Sequence, residues 1–361
     1  MPPAGRVTVA RAIEEGVRFL VEHQNRDGSF GEHVSGRNYE LWCDVPGGHM
    51  AFRAATTGLC YMGLVSATHQ PEASRAAQAR TLAWLVPNTR VGRASGAQLY
   101  NIWAFAYGLR ALAAALVKHA DGAPPEAVRA AAVALVKEIE AYQSPDGGWG
   151  YYDFDVKGAR PAWSTSFTTA TILVALHEAR EAGIEVTPAV LAKGVVLMHR
   201  LRTPDDNYAY SFDWRYRPKG LINRVQGSSM RNQSCNLAIA LFDPDFGTER
   251  LVRGVQGLAD NHAMAIAGLR RPVPHESHYQ VSGYFYLYGQ MYAAMVLEKL
   301  GKEEQQRLWP GVVRAVLKTR EPDGSFWDYP TYGYHKYYGT GYALMALTRC
   351  PPAIAATLPG E

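Results

Sequence analysis

YQSPDGGWG, residues 142–150, is a turn with an aromatic anchor. Pro145 presets the backbone at the first corner, Asp146 bonds its own following backbone, and Gly147 supplies the positive dihedral that ends the preceding helix. The same signal returns as QNRDGSF at 24–30 and EPDGSF at 321–326, each time after an amphipathic run. Weaker versions are Val86-Pro87-Asn88 and the stretch from Thr203 to Tyr208. Asp27, Asn88, Asp146, Asp205 and Asp323 are then 61, 58, 59 and 118 residues apart, and the last interval is twice 59. A degenerate sixth turn is therefore expected near residue 264, with Leu269–Pro274 its best candidate. Six units of about 59 residues nearly account for the chain, a fixed period that signals a repeat architecture.

Each unit carries a helical pattern on either side of its turn. Before it, apolar residues recur at three- and four-residue spacing, as in GVRFLVEHQ (16–24), ARTLAWLV (79–86), LVKEIEAYQ (135–143), LAKGVVLMHRL (191–201), 251–269 and 309–321. After it comes a mostly apolar stretch rich in small and aromatic residues: 49–64, 100–116, 164–180, 235–242, 283–300 and 337–350. A half-polar helix followed by an apolar one predicts an outer helix and an inner helix buried on both sides. The expected fold is all-α, a single (α/α)6 toroid domain over residues 1–361, built from six helix pairs. An open solenoid is the alternative; it needs polar caps at its ends, and the first and last units are no more polar than the rest. In either arrangement Trp149, Phe30 and Phe326 would pack between neighbouring units.

Composition places the chain among folded proteins, with 47% hydrophobic and 19% charged residues. A net charge of +4, spread along the chain, predicts neither a nucleic-acid nor a membrane partner. Cys43, Cys60, Cys235 and Cys350 lie far apart without paired spacing, so neither a disulfide framework nor a cysteine metal site is expected. There is no signal-peptide pattern and no 18-residue apolar run. A cytoplasmic location is the expectation, and a processed chain would look the same.

A helix followed by QNRDGSF or QSPDGGW resembles the QW repeat of the squalene-hopene cyclase and protein prenyltransferase β-subunit superfamily. The stretches 100–112, 163–184 and 282–294 are similar to those of bacterial prenyltransferase and squalene oxidase repeat proteins. The resemblance implies an α/α toroid. Class II cyclases of that superfamily place an Asp-x-Asp-Asp acid at the start of an inner helix, because protonating an alkene needs a carboxylic acid held neutral. The aligned start here, Thr165 to Ala170, holds no carboxylate, and Asp153-Phe154-Asp155 in a loop is the nearest fragment. Prenyltransferases use an Asp-x-Cys pair and a distant His to bind zinc. His335 stands in a similar context, but Gln233 precedes Ser234 and Cys235 where the Asp belongs. No metal ligands and no cofactor are assigned, zinc remaining the one candidate.

In a toroid the inner helices begin at one end, so their positive dipole ends converge on one mouth. Asp44, His49 and His335 are the candidate catalytic residues there, because the first and last units meet on closure and the three would make a metal or acid–base cluster; two separate polar histidines are the plainer alternative. Tyr100, Asn101, Trp163, Ser164, Asn232, Tyr279, Tyr284 and Tyr337 are the candidate ligand-binding residues, with Ser234 placed beside them. The 21 Tyr suit a mouth that is half apolar and half wet. His275 and His278 sit in a loop at uninformative spacing, and His262 on an outer helix. Between 214 and 231 lie Arg215, Arg217, Lys219, Arg224 and Arg231 with no acidic residue, a run that is either solvated or suited to an anion such as a diphosphate or carboxylate.

The expected function is ligand binding or interaction on a cyclase-like scaffold, with an isoprenoid-like or other apolar small molecule in the central cavity. The alternative is an enzyme, either an unusual isoprenoid cyclase or transferase, or a polysaccharide lyase. A lyase would show an open groove with Tyr, His and Arg within hydrogen-bond reach; an isoprenoid site would be a closed apolar funnel.

Overall fold

The computed structural model describes residues 7–34, 46–67, 72–153, 163–217, 219–275 and 278–358. Among them are fourteen α-helices and no strand. The helices are α1 (Val9–Glu22), α2 (Pro46–Ser66), α3 (Glu72–Asn88), α4 (Asn101–Lys118), α5 (Pro125–Ala141), α6 (Ser166–Glu181) and α7 (Pro188–Arg200). They continue with α8 (Val225–Phe242), α9 (Thr248–Asp260), α10 (His262–Gly268), α11 (Tyr286–Leu297), α12 (Lys302–Leu317), α13 (His335–Leu347) and α14 (Pro352–Ala355).

Helices α2, α4, α6, α8, α11 and α13 touch one another in that order, and α13 packs back against α2. The ring therefore closes, and the open solenoid is excluded. Around it each outer helix bridges two inner ones: α1 lies on α13 and α2, α3 on α2 and α4, α5 on α4 and α6, and so on to α12 on α11 and α13. The chemistry of the two rings explains the sorting. In α1, Val9, Ala12, Gly16, Phe19 and Leu20 form one buried stripe, and the intervening charged residues face outward, Glu15 excepted. In α11 nearly every residue of YLYGQMYAAMVL is buried, because the helix has neighbours on all sides. Each large apolar side chain so enclosed contributes about 1.5–3 kcal/mol.

The corners show what the repeated turn does. At YQSPDGGWG, Asp146 Oδ1 accepts from the Gly148 N–H at 3.1 Å, and Oδ2 accepts from Ser164 Oγ at 2.6 Å, tying the turn to the approach of α6. Asp27 with Ser29 and Arg53, and Asp323 with Ser325 and Lys336, repeat the arrangement. Gly147 has φ +102°, and a Cβ there would lie 2.7 Å from the Lys193 carbonyl of the next outer helix, so both backbone and space demand glycine. Gly324 meets the Glu15 carbonyl of α1 in the same way, and Arg320 pairs with Glu15; these two contacts fasten the last corner to the first helix. The aromatics Phe30, Trp149, Tyr208 and Phe326 are all fully buried, and the amides of Phe30, Trp149 and Phe326 donate to Thr57, Thr169 and Thr340 of the inner helices.

Three local expectations need correction. Helix α3 runs through Pro87 to Asn88, so Val86-Pro87-Asn88 is its last turn; Asn88 Nδ2 donates to the Trp84 carbonyl at 2.8 Å and helps close that end. Helix α8 begins at Val225 rather than 235, because several polar groups of its first half find carbonyl acceptors on α8, its N-cap residue and α9: Ser228 Oγ donates to the Arg224 carbonyl, Gln233 Nε2 to Ser229 and Gly254, and Ser234 Oγ to Arg231. Residues 251–269 form two helices separated at Asn261. Near the expected sixth turn the chain leaves α10, with Arg270 in the left-handed region at φ +64° and its N–H on the Asp328 carbonyl.

Candidate functional site

The inner helices start at one end, and between their first turns lies a cavity of about 540 Å³. Fifteen of its 23 lining residues are Phe, Tyr or Trp, and none is Asp, Glu, Lys or Arg, so aromatic faces and a few hydroxyls meet whatever enters. The positions follow the helical period. Trp103 and Tyr107 on α4, and Tyr338 and Tyr342 on α13, are aromatic pairs one helical turn apart, while Trp163 with Phe167 and Tyr284 with Tyr288 join the approach of α6 and α11 to the helix itself. Below them Tyr342 donates its phenol to Tyr107, and Tyr288 reaches Ser234 Oγ at 2.7 Å, which floors the cavity with buried hydroxyls.

Of the residues expected at the mouth, Tyr100, Trp163 and Tyr284 line this cavity. Tyr337 lies one position from the lining Tyr338 and packs instead against Phe19 and Phe30, since one residue turns a helical side chain by about 100°. Ser164 is spent on Asp146, and Asn232 bonds Asn207 Oδ1 at 2.8 Å. Ser234 and Asn232 belong to the interior of α8 because that helix starts earlier than expected. Asn101 is fully buried outside the lining with no hydrogen-bond partner for either amide atom, and Tyr279 stacks edge-on with His278. Asp44 and Asp155 lie outside the described residues. His49 packs edge-on against Tyr332, while His335 bonds the Tyr332 carbonyl through Nδ1 at 2.8 Å and packs against Trp327. The two histidines thus flank one tyrosine, and neither lines the cavity.

The zinc candidates do not converge. Gln233 is committed to backbone carbonyls, and burial pushes the Cys235 thiol up to about 12. Among the described residues no three metal-binding side chains come together.

The imidazole in the cavity is His275, from the loop whose spacing said nothing. Its φ of +59° places a non-glycine residue in the left-handed region. Nδ1 lies 2.9 Å from the Gln280 carbonyl and 3.2 Å from Ser282 Oγ, while Nε2 lies 3.2 Å from the Tyr284 hydroxyl. A carbonyl only accepts, so Nδ1 carries the proton and Nε2 accepts from Tyr284. Burial holds His275 below the usual imidazole range, with the Arg231 charge acting the same way, against the Gln280 hydrogen bond. The ring is neutral and its tautomer set. Nearby, the Tyr151 and Tyr210 hydroxyls share a hydrogen bond, as do those of Tyr100 and Tyr152.

Asp328 is the buried carboxyl beside this end. It accepts from the Leu287 N–H at 2.8 Å and the Tyr338 hydroxyl at 3.0 Å; burial nonetheless pushes it up to about 7. Tyr338, which donates to it, is itself part of the cavity lining.

No family model and no curated relative matches this sequence. Solved structures do. A type II terpene cyclase from Scytonema, MstE, is similar at 12% identity, over 94% of this chain and 97% of its own, with a TM-score of 0.54. An inactive variant of an α-1,6-mannanase of Salegentibacter, solved with α-1,6-mannotetrose, matches at 10% identity, over 95% and 99%, with a TM-score of 0.57. A possible GH105 family member from Salmonella enterica serovar Paratyphi A matches at 13% identity, over 97% and 95%, with a TM-score of 0.56. At these identities the likeness is one of fold: the chain is an α/α toroid, as the turn signals suggested.

Proposed function

We propose that the protein binds an elongated, mostly apolar small molecule, of isoprenoid-like shape, in the cavity at the N-terminal ends of its inner helices. The observation that carries this reading is the lining itself: about 540 Å³ walled by fifteen aromatic rings and no charged side chain. A space of this size and chemistry falls in the range of small-molecule sites. The fold is compatible with it, since MstE has been solved with geranylgeranyl dihydroxybenzoate as its substrate. A glycosidase reading is less well supported, because the usual mechanism needs two carboxyl groups flanking the bond and none lines the cavity among the described residues. The lyase alternative asks for Tyr, His and Arg in mutual reach; Tyr284 and His275 meet, but among the described residues no arginine bonds either.

Trp103, Trp163 and Trp214 in the lining make binding directly visible. Titration with farnesol and geranylgeraniol is expected to change tryptophan emission saturably, and Trp163→Ala or Tyr284→Ala to weaken the midpoint severalfold. A linear, non-saturating response that both variants share with the parent chain would overturn the reading.

A further inference from the structure

Of the basic residues between 214 and 231, Arg217, Lys219 and Arg224 are exposed, and Arg215 lies over the Phe212 and Tyr216 rings. Arg231 goes inside. It is 1% exposed, on the second turn of α8. Its Nη2 donates to the Ile222 carbonyl at 2.5 Å and, more weakly, to Gly227 at 3.4 Å; among the described residues the buried Nη1 has no hydrogen-bond partner and no carboxylate pairs with the guanidinium. A full charge in this position is costly to bury, and in folded proteins such charges are normally paired.

The location of the charge says what would compensate it. The guanidinium carbon sits 5.0 Å from the Tyr210 ring centroid and 5.7 Å from that of Phe285, and both rings line the cavity. So does Ile222, whose carbonyl it holds. One layer behind a single wall there is thus an unpaired positive charge, and on that wall stand Tyr151, Tyr210, Tyr284 and His275, which interact with it electrostatically. Aromatic rings screen a charge poorly, and in a site that excludes water its field reaches the cavity. Elsewhere the lining is apolar at Phe52, Leu59, Trp103 and Phe167, and the Tyr107, Tyr342, Tyr288 and Tyr338 hydroxyls are engaged with one another, with Ser234 or with Asp328.

We infer that the cavity takes an amphiphile carrying one negative charge, with its anionic head against the Tyr210–Tyr284–His275 wall in front of Arg231 and its apolar body along the opposite walls. The one O–H of the Tyr151–Tyr210 pair that their shared hydrogen bond leaves over donates to the head, and Arg231 supplies the charge without touching it. This rests on the cavity being a site for an apolar molecule and adds the polarity and orientation of that molecule.

The test is a head-group series at constant chain length: dodecanoate, dodecan-1-ol and dodecylamine, measured by calorimetry on the full chain. Dodecanoate is expected to bind about tenfold tighter than the alcohol, as one charge acting across a ring's thickness implies, and the amine weakest of all. Arg231→Met should bring dodecanoate down to the alcohol while leaving the alcohol unchanged, and Arg231→Lys should keep the preference. Alcohol binding as tightly as dodecanoate in the parent chain would overturn the inference and leave the apolar site standing. No binding by any of the three would overturn both. Because the series on the parent chain decides by itself, the outcome does not depend on whether either variant folds.

Discussion

Arginines are buried at both ends of the ring, and the two ends treat them differently. At the C-terminal ends of the inner helices a smaller cavity, about 280 Å³, is lined by Arg110, Lys118, Glu178, Glu181 and Arg349 among aliphatic side chains. There Arg110, 1% exposed, meets Glu178 in a bidentate pair with both contacts at 2.8 Å, and Lys118 caps the Val65 carbonyl at the end of α2. Burial works against the Arg110 charge, and the Glu178 carboxylate together with the Tyr292 and Tyr107 phenols more than offsets it. At the aromatic end Arg231 and Asp328 are both buried, yet no hydrogen bond or ion pair joins them. Burial lowers the pKa of Arg231 and raises that of Asp328, so each is pushed toward its neutral form. One end has opposite charges neutralising each other; the other keeps them apart around a space. A charge already neutralised holds a fold together, whereas one left unneutralised beside a cavity is available to something else.

The contrast breaks most visibly in stability. Glu178→Gln would leave the Arg110 charge buried without its partner, and chemical denaturation should show a loss of about 3–5 kcal/mol. Arg231→Met removes a charge that has no partner, and its stability should stay within about 1 kcal/mol of the parent chain. Equal losses at the two sites would mean that Arg231 is as structural as Arg110.

Asp328 sharpens the same contrast through pH. Its folded value of about 7 lies above the ordinary carboxyl value of an unfolded chain, about 3.9. The folded state therefore binds this proton more tightly, and the contribution to stability is complete below about pH 4 and is lost as pH rises toward 7. Subtracting the Asp328→Asn stability curve from that of the parent chain should leave a fall of about 2–4 kcal/mol across that window. A flat difference would show the carboxyl ionised throughout.

The fold was far more legible in the sequence than the site was. Turn chemistry is local: Pro, Asp and Gly act through their own backbone, so Asp27, Asp146 and Asp323 announced their corners from any single copy and their period from the set. The fourth corner was fainter because Asp206, at φ +58°, occupies the position that Gly28, Gly147 and Gly324 fill elsewhere, with Arg202 and Arg253 as partners for its carboxylate. The site is a matter of which way a side chain points. Aromatic pairs at i and i+4 were present in the sequence and would have led to Trp103 with Tyr107, and Tyr338 with Tyr342. Attending to helix starts alone selected Tyr337 over Tyr338. Polar residues in α8 hid that helix's first half, so Arg231 read as part of a loop although it is enclosed in a helix. His275 left no local signal at all, since its place depends on a loop folding back over the mouth.

The smallest effect tests whether the cavity wall at the aromatic end, which has no charged side chain in its lining, runs on neutral hydrogen bonds. Tyr284→Phe deletes the donor to His275 Nε2 while keeping the ring, so the loss in stability should be about 1 kcal/mol, the net worth of one such bond. The more telling readout is His275 itself. In the parent chain its Nε2 lone pair is occupied by the phenol, which favours the neutral ring alongside the downward push of burial, while the Gln280 carbonyl on the Nδ1 proton works the other way. Freeing Nε2 makes protonation easier, and the imidazole pKa measured by NMR should rise in the variant. An unchanged pKa, or Nε2 found protonated in the parent chain at neutral pH, would mean that His275 donates to Tyr284 and that the phenol O–H is free to donate elsewhere.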